Sequence, residues 1–303
     1  MMFASPLLAE DLPVLWLEAG KENEFQTFVL GPQTIDWSLR FEHRILDQGK
    51  SYLINDSKAE GVFSFKIKTP PLKPGVMLKA ALFFGDAPYS NVVIASYDPF
   101  EDRETWFAGH PIALYDPEKT TVEVFKEEEI PFKRLGSFAE IEAVENAVIV
   151  VGENINFDKE IGLAELLFEK AAKGASVLVA ASWGDIPLDY PPAIYSLTLS
   201  AEAKYLFPLA HSRLSNLKWV LDTKDGQPFL LSEIHQLNRT PRVPTVGPSL
   251  LDIRFANPDS QYTQPSGRII IDRELRFFHN VESRWYFKSL IETLTESLTR
   301  SQP

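Results

Sequence analysis

Asn146-Ala147-Val148-Ile149-Val150-Val151-Gly152 and, after a helical interval, Ser176-Val177-Leu178-Val179-Ala180-Ala181 decide the fold. Neither run alternates apolar with polar residues. A continuous apolar run closed by a small residue fits a strand buried on both faces of a parallel sheet. Between the two, Phe157 to Lys173 reads as an amphipathic helix, with Ile161, Ala164, Leu167, Phe168 and Ala171 on one face. Lys170 and Lys173 fall in its last turn and Gly174 follows, which is ordinary stop chemistry. Strand, helix and strand at this spacing make a βαβ unit with a right-handed crossover.

Outward from this core, Pro111 to Tyr115 predicts a strand, Asp116-Pro117 a turn or helix start, and Thr120 to Glu129 a helix. Phe132 to Leu135 follows as a strand and Ser137 to Val144 as a helix. Toward the C-terminus, Arg268 to Asp272 and Leu275 to Phe278 read as strands, and Glu282 to Thr299 as a closing helix. The stretch 187–264 is irregular and rich in Pro, Asn and Asp. Its candidate strands are Lys218 to Leu221, Phe229 to Glu233 and Leu251 to Phe255.

Before residue 107 the pattern changes to short strands: Phe25 to Leu30, Trp37 to Phe41, Gly61 to Lys68, Val76 to Phe84 and Val92 to Tyr97. Turn chemistry separates them at Pro70-Pro71-Leu72-Lys73-Pro74-Gly75 and Gly85-Asp86-Ala87-Pro88. This spacing predicts an antiparallel β-sandwich or jelly roll. The expected organisation is an all-β domain over 12–106 followed by an α/β domain over 107–303.

The chain has 303 residues, 45% of them apolar and 24% charged, a globular composition with length for about two domains. No apolar run reaches the ~18 residues that would span a bilayer. The absence of cysteine removes thiol nucleophiles, thiolate metal sites and disulfides. The formal net charge is −12, with Lys and Arg scattered. That argues against nucleic acid or an anionic membrane as a partner, and the acidity serves solubility. Met1-Met2-Phe3-Ala4-Ser5-Pro6-Leu7-Leu8-Ala9 is too short for a complete signal peptide and has no basic n-region, yet it looks like the tail of one. Residues 1–11 are read either as a leader remnant, which implies export to a periplasm or the exterior, or as the frayed terminus of a cytoplasmic chain.

Three constellations could carry chemistry. Ala180-Ala181-Ser182-Trp183-Gly184 follows a buried strand, as a nucleophile elbow does. Such an elbow needs a following helix to stabilise an oxyanion. Pro187, Pro191 and Pro192 make a poor helix interior, so the alternative is a strand end with a small Ser. In Phe277-Phe278-His279-Asn280-Val281-Glu282-Ser283, His279 and Glu282 form a base and its orienter, or else a packed strand end and a favourable helix-start charge. Gly152-Glu153-Asn154 lies where ligands bind on open α/β sheets, beyond the carboxyl ends of strands. With Trp183 these residues are the pocket candidates; the alternative for Glu153 is a solvated loop carboxylate.

His43, His110, His211, His235 and His279 form no closely spaced pair. Asp98, Glu101, Asp102 and Glu104 lack the spacing of a calcium loop and read as an exposed interdomain linker, so no metal site is assigned. There is no glycine-rich phosphate loop, and no cofactor is expected. Trp16, Trp37, Tyr52, Tyr89, Tyr97 and Trp106 either fill the sandwich or stack on sugar rings.

Taken together, Ala180–Gly184 and Phe278–Ser283 resemble the class I glutamine amidotransferase-like superfamily, over about residues 110 to 300. In that family a strand-end Cys sits in a Gly-x-Cys-x-Gly elbow, and a later strand ends in an aromatic residue followed by His-Pro-Glu. Here Ser182 stands at the Cys position, Ala180 replaces the first Gly, and one extra residue with no proline separates His279 from Glu282. The resemblance implies a flavodoxin-like α/β fold for the second domain. Glutamine hydrolysis through a thiolate is excluded by composition. Two functions remain. One is a non-catalytic binding or assembly protein, its degenerate α/β domain a scaffold and its β-sandwich recognising a carbohydrate or a protein partner. The other is a serine-type hydrolase using Ser182, His279 and Glu282 or Glu153.

Overall fold

The computed structural model describes residues 12–29, 34–57, 60–184, 186–187, 196–199, 229–230, 242–243, 250–256, 265–272 and 275–300. The chain divides into two compact units, Met1–Asp102 and Arg103–Pro303.

The first unit is one mixed sheet of seven strands: β1 (Val14–Glu18), β2 (Glu22–Val29), β3 (Thr34–Phe41), β4 (Arg44–Ser57), β5 (Glu60–Lys68), β6 (Met77–Phe84) and β7 (Ala87–Ala95). They lie in the order β1-β7-β6-β3-β4-β5-β2. The expectation of a wholly antiparallel unit is corrected at one edge, where β1 runs parallel to β7. β4 is long enough to serve two neighbours, pairing with β3 over Arg44 to Tyr52 and with β5 over Leu53 to Ser57. The two end strands, β1 and β2, are joined by a tight corner. Gly20 takes φ 74° there, and the Asn23 side chain accepts from Glu18 N–H at 2.8 Å and donates to Glu18 C=O at 3.0 Å. The sheet is therefore nearly barrel-shaped. Leu17, Ile35, Trp37, Leu39, Phe63, Phe65, Ile67, Leu82, Val92 and Ile94 fill it, and the Phe65 ring stacks on Phe25 at 4.9 Å and Phe84 at 5.0 Å. The segment read as an exposed linker does expose Glu101, Asp102 and Glu104, and it is anchored at Asp98 and Phe100. Phe100 is buried, and the Asp98 carbonyl accepts from Gly75 N–H at 3.0 Å and Ser96 Oγ at 2.7 Å.

The second unit begins with α1 (Arg103–Gly109). It continues through β8 (Ile112–Tyr115), α2 (Thr120–Glu127), β9 (Lys133–Leu135), α3 (Phe138–Glu142), β10 (Val148–Val151), α4 (Leu163–Ala172) and β11 (Ser176–Val179). Then come β12 (Ile186–Pro187), β13 (Ser196–Leu199), β14 (Phe229–Leu230), β15 (Arg242–Val243), β16 (Leu250–Ala256), β17 (Pro265–Asp272) and α5 (Val281–Arg300). The main sheet has the order β14-β13-β16-β17-β11-β10-β8-β9. From β9 to β17 its strands are parallel; β16, β13 and β14 extend it antiparallel. Counted along the chain, the five parallel strands lie in the order 2-1-3-4-5.

Strand parity sets the layers. Ala113, Ile149, Val151, Val177, Val179, Ile269 and Ile271 pack with α3 and α4 in one core. Ser176 points the other way, its Oγ donating to Leu294 C=O of α5 at 2.7 Å. The opposite side is aromatic: Phe125 of α2 meets the rings of Phe277, Phe278 and Phe287 at 5.3 to 6.0 Å. Ser137 caps α3, accepting from Glu140 N–H at 3.3 Å while the Glu140 carboxylate accepts from Gly136 N–H at 2.6 Å. Lys170 of α4 donates to the carbonyls of Glu142 and Val144, both at 2.9 Å, and burial there lowers its pKa.

Two expectations fail in this unit. The helix expected from Phe157 starts only at Leu163, and Ile161, expected on the apolar face, is 84% exposed. Asn156 turns the chain by accepting from Asp158 N–H at 3.0 Å, and Gly162 takes φ 86°, so no helix propagates through 157–162. Residues 275–278 form a turn rather than a strand, with Phe278 at φ 55°. The candidate strand 218–221, residues 231–233, the leader-like 1–11, His211 and His235 lie outside the described residues.

Candidate functional site

β8, β10, β11 and β17 are parallel neighbours, so the loops after them share one rim. Backbone hydrogen bonds extend the ladder past the strand ends. Gly152 N–H donates to Tyr115 C=O at 2.9 Å, Asn154 N–H to Ala181 C=O at 2.7 Å, and Ala181 N–H to Leu275 C=O at 3.2 Å. The rim thus gathers Gly152, Glu153 and Asn154 after β10, Ser182 and Trp183 after β11, and the 275–279 turn after β17.

The order of the strands reverses between β8 and β10, the place where open α/β sheets present a crevice. At this reversal the end of β10 packs closely on the start of α2. A Cβ on Gly152 would lie 2.8 Å from Thr121 Oγ1 and 3.0 Å from Asp116 Cβ and Cγ. Glycine is what lets β10 leave the sheet against the start of α2. Glu153 N–H then donates to Thr121 Oγ1 at 2.7 Å, and Thr120 Oγ1 donates to Glu153 C=O at 3.1 Å.

Glu153 is not a solvated loop carboxylate. Its side chain is 13% exposed; one oxygen accepts from Phe277 N–H at 2.6 Å and the other from Arg276 Nη1 at 3.1 Å. Arg276 Nη1 also donates to Asn154 Oδ1 at 3.1 Å. The carboxylate is spent on holding the turn after β17. Asn154 reaches this pairing through φ 65°.

Trp183 is 58% exposed, its backbone zipped to the loop after β10 by bonds to Ile155 C=O at 2.8 Å and from Phe157 N–H at 3.1 Å. Ser182 is buried at 6% exposure. His279 is exposed. Glu282 sits in the first turn of α5. The residue that organises this turn is Asn280: its Oδ1 accepts from Ser283 N–H at 2.8 Å, and Ser283 Oγ accepts from Asn280 N–H at 3.0 Å. This reciprocal cap starts α5. Asn280→Ala should lower stability by about 1 kcal/mol in urea melts, whereas His279→Ala should stay within about 0.5 kcal/mol of the parent.

Asp116 and Tyr115 are the perturbed groups at this rim. Tyr115 Oη donates to Glu160 Oε2 at 2.7 Å, and burial with that carboxylate keeps the hydroxyl protonated. Asp116 is fully buried and accepts from Val122 N–H at 2.8 Å, starting α2. Burial pushes its carboxyl above the usual range, against the lowering effect of that bond and of Arg134. A raised folded pKa contributes stability that is complete below the unfolded value, about 3.9, and is lost as pH rises through the folded value. Asp116→Asn keeps an acceptor and removes the charge. Its stability relative to the parent should therefore rise between pH 4 and pH 7, measured by urea melts at each pH.

Among the described residues no three His, Asp or Glu side chains are placed to hold a metal ion. The aromatics of the first unit divide by burial. Trp37 is in the core, Tyr89 stacks on Phe84 at 4.0 Å, and Tyr52 and Tyr97 are 64% and 50% exposed. Tyr52 borders a groove of about 540 Å³ with Trp37, Asp47, Gln48, Gly49, Lys50, Ser64, Lys66 and Lys68. Sequence reading did not find this groove, because its lysines come from two strands. The chain matches no protein-family model and no curated protein sequence.

Proposed function

We propose that this protein is a non-catalytic recognition or assembly protein. In this reading the second unit is a flavodoxin-like scaffold, a degenerate relative of the class I glutamine amidotransferase-like domains. The first is a β-sandwich that binds a carbohydrate or a protein partner. The observation that carries the reading is the use of the polar groups at the strand-order reversal within the fold itself. Gly152 is packed on Asp116 and Thr121, and the Glu153 carboxylate is bound to Phe277 N–H and Arg276. A hydrolase needs a base within hydrogen-bond reach of its nucleophile. Ser182 is buried while His279 is exposed.

Turnover of a panel of p-nitrophenyl esters and amides by the full chain tests this. The expected result is no hydrolysis that depends on Ser182. Hydrolysis lost in both Ser182→Ala and His279→Ala would establish the serine-hydrolase alternative instead.

A further inference from the structure

The groove of the first unit forms where β4 leaves β5 to pair with β3. Its floor is the Trp37 ring, laid against bare backbone at Gly49, where a Cβ would sit 2.8 Å from Trp37 Cζ2. Lys50 and Tyr52 stand on one face of β4, two residues apart, and Lys66 and Lys68 likewise on β5. Three ammonium groups thus gather in a chain of net charge −12.

The carboxylates around them are accounted for. Asp47 accepts from Gln48 N–H at 2.9 Å and Lys68 N–H at 2.6 Å. Glu24 accepts from Ser64 Oγ at 2.8 Å. Asp36 lies 3.3 Å from Lys50 and Glu22 3.9 Å from Lys66, both as solvent-exposed pairs that a ligand anion can displace. Among the described residues Lys68 makes no ion pair. Beside these cations the Tyr52 ring offers an apolar face with a polar tip.

We propose that this groove binds an acidic oligosaccharide, a sugar chain bearing carboxylate or sulfate groups, with Tyr52 stacked on a ring and Lys50, Lys66 and Lys68 holding its anions. The inference rests on the recognition reading of the first unit given above. An acidic peptide fits less well, because strand addition needs a free sheet edge. On β5 that edge is capped by side chains, Ser51 Oγ donating to Ser64 C=O at 2.5 Å and Asp47 accepting from Lys68 N–H. Single-stranded nucleic acid needs a longer basic track with several stacking rings.

Isothermal titration of the full chain at low salt tests the proposal with four probes: hexagalacturonate, a chondroitin sulfate hexasaccharide, cellohexaose and polyglutamate. Binding is expected for at least one of the first two, which separates carboxylate from sulfate recognition, and should weaken as salt rises. Tyr52→Ala and the Lys66→Gln/Lys68→Gln double variant, all at exposed positions, should each weaken it tenfold or more with unchanged melting temperature. Equal binding of cellohexaose overturns the acidic class and keeps sugar recognition. Polyglutamate binding that ignores Tyr52→Ala replaces the sugar with an acidic peptide. Silence from all four probes overturns the inference, while the Ser182-dependent turnover assay still decides the reading beneath it.

Discussion

Gly267→Ala should destabilise the chain by more than about 3 kcal/mol, the upper end of overpacking costs. Gly267 lies in β17 under the end of α4. A Cβ there would sit 2.0 Å from Ala171 C=O and 2.6 Å from Ala175 C=O. Those oxygens belong to backbone, and the adjacent bond from Arg268 N–H to Ala175 C=O at 3.1 Å fixes the distance between strand and helix end. A side chain could rotate away, but these groups can move only by parting α4 from the sheet. Gly109→Ala is the control. It has open space around the added methyl and should change stability by less than about 1 kcal/mol. Urea unfolding followed by circular dichroism compares the two, and a Gly267→Ala chain as stable as the parent would refute the packing described.

The second large effect lies at Arg284. Its guanidinium pairs with both oxygens of Glu128, each at 2.5 Å, with side-chain exposures of 5% and 22%. Arg103 donates to the Glu128 carbonyl, and the Arg284 guanidinium lies 5.4 Å from the Phe278 ring. Breaking a buried pair strands a charge, so Arg284→Met alone should cost about 3 kcal/mol. Replacing both partners, Arg284→Met with Glu128→Leu, should recover most of that loss, because two desolvated charges disappear together. A double-mutant cycle in urea measures the coupling. A double variant no more stable than Arg284→Met would mean that the pair itself, rather than its stranded remnant, holds α5 to α2.

The parallel unit was legible where local chemistry and burial agree. The apolar runs at 148–151 and 176–179 need two covered faces, and Ser137 announces α3 by capping it. The start of α4 was misread because Ile161 keeps the helical spacing while Asn156 and Gly162 impose turns. β4 was missed because Arg44 to Ser57 is mostly polar, as suits a strand whose side chains between residues 47 and 52 line an open groove.

The rim shows the same division. Strand-end logic found Gly152, Glu153 and Asn154, but no local signal tells that Glu153 binds Phe277 N–H across more than a hundred residues of chain. The spacing of His279 and Glu282 is visible in the sequence as a candidate pair, while the cap that Asn280 and Ser283 make between them has no comparable signal. The groove lysines look scattered in the sequence, and only the departure of β4 from β5 brings them together.

The most direct measurement is intact-mass and peptide mapping after exposure of the full chain to a fluorophosphonate reagent. A scaffold with Ser182 buried and His279 turned to solvent should leave the Ser182 peptide unmodified, with parent and Ser182→Ala indistinguishable. A stoichiometric adduct on Ser182, slowed in His279→Ala, would contradict the scaffold and make the second unit an enzyme.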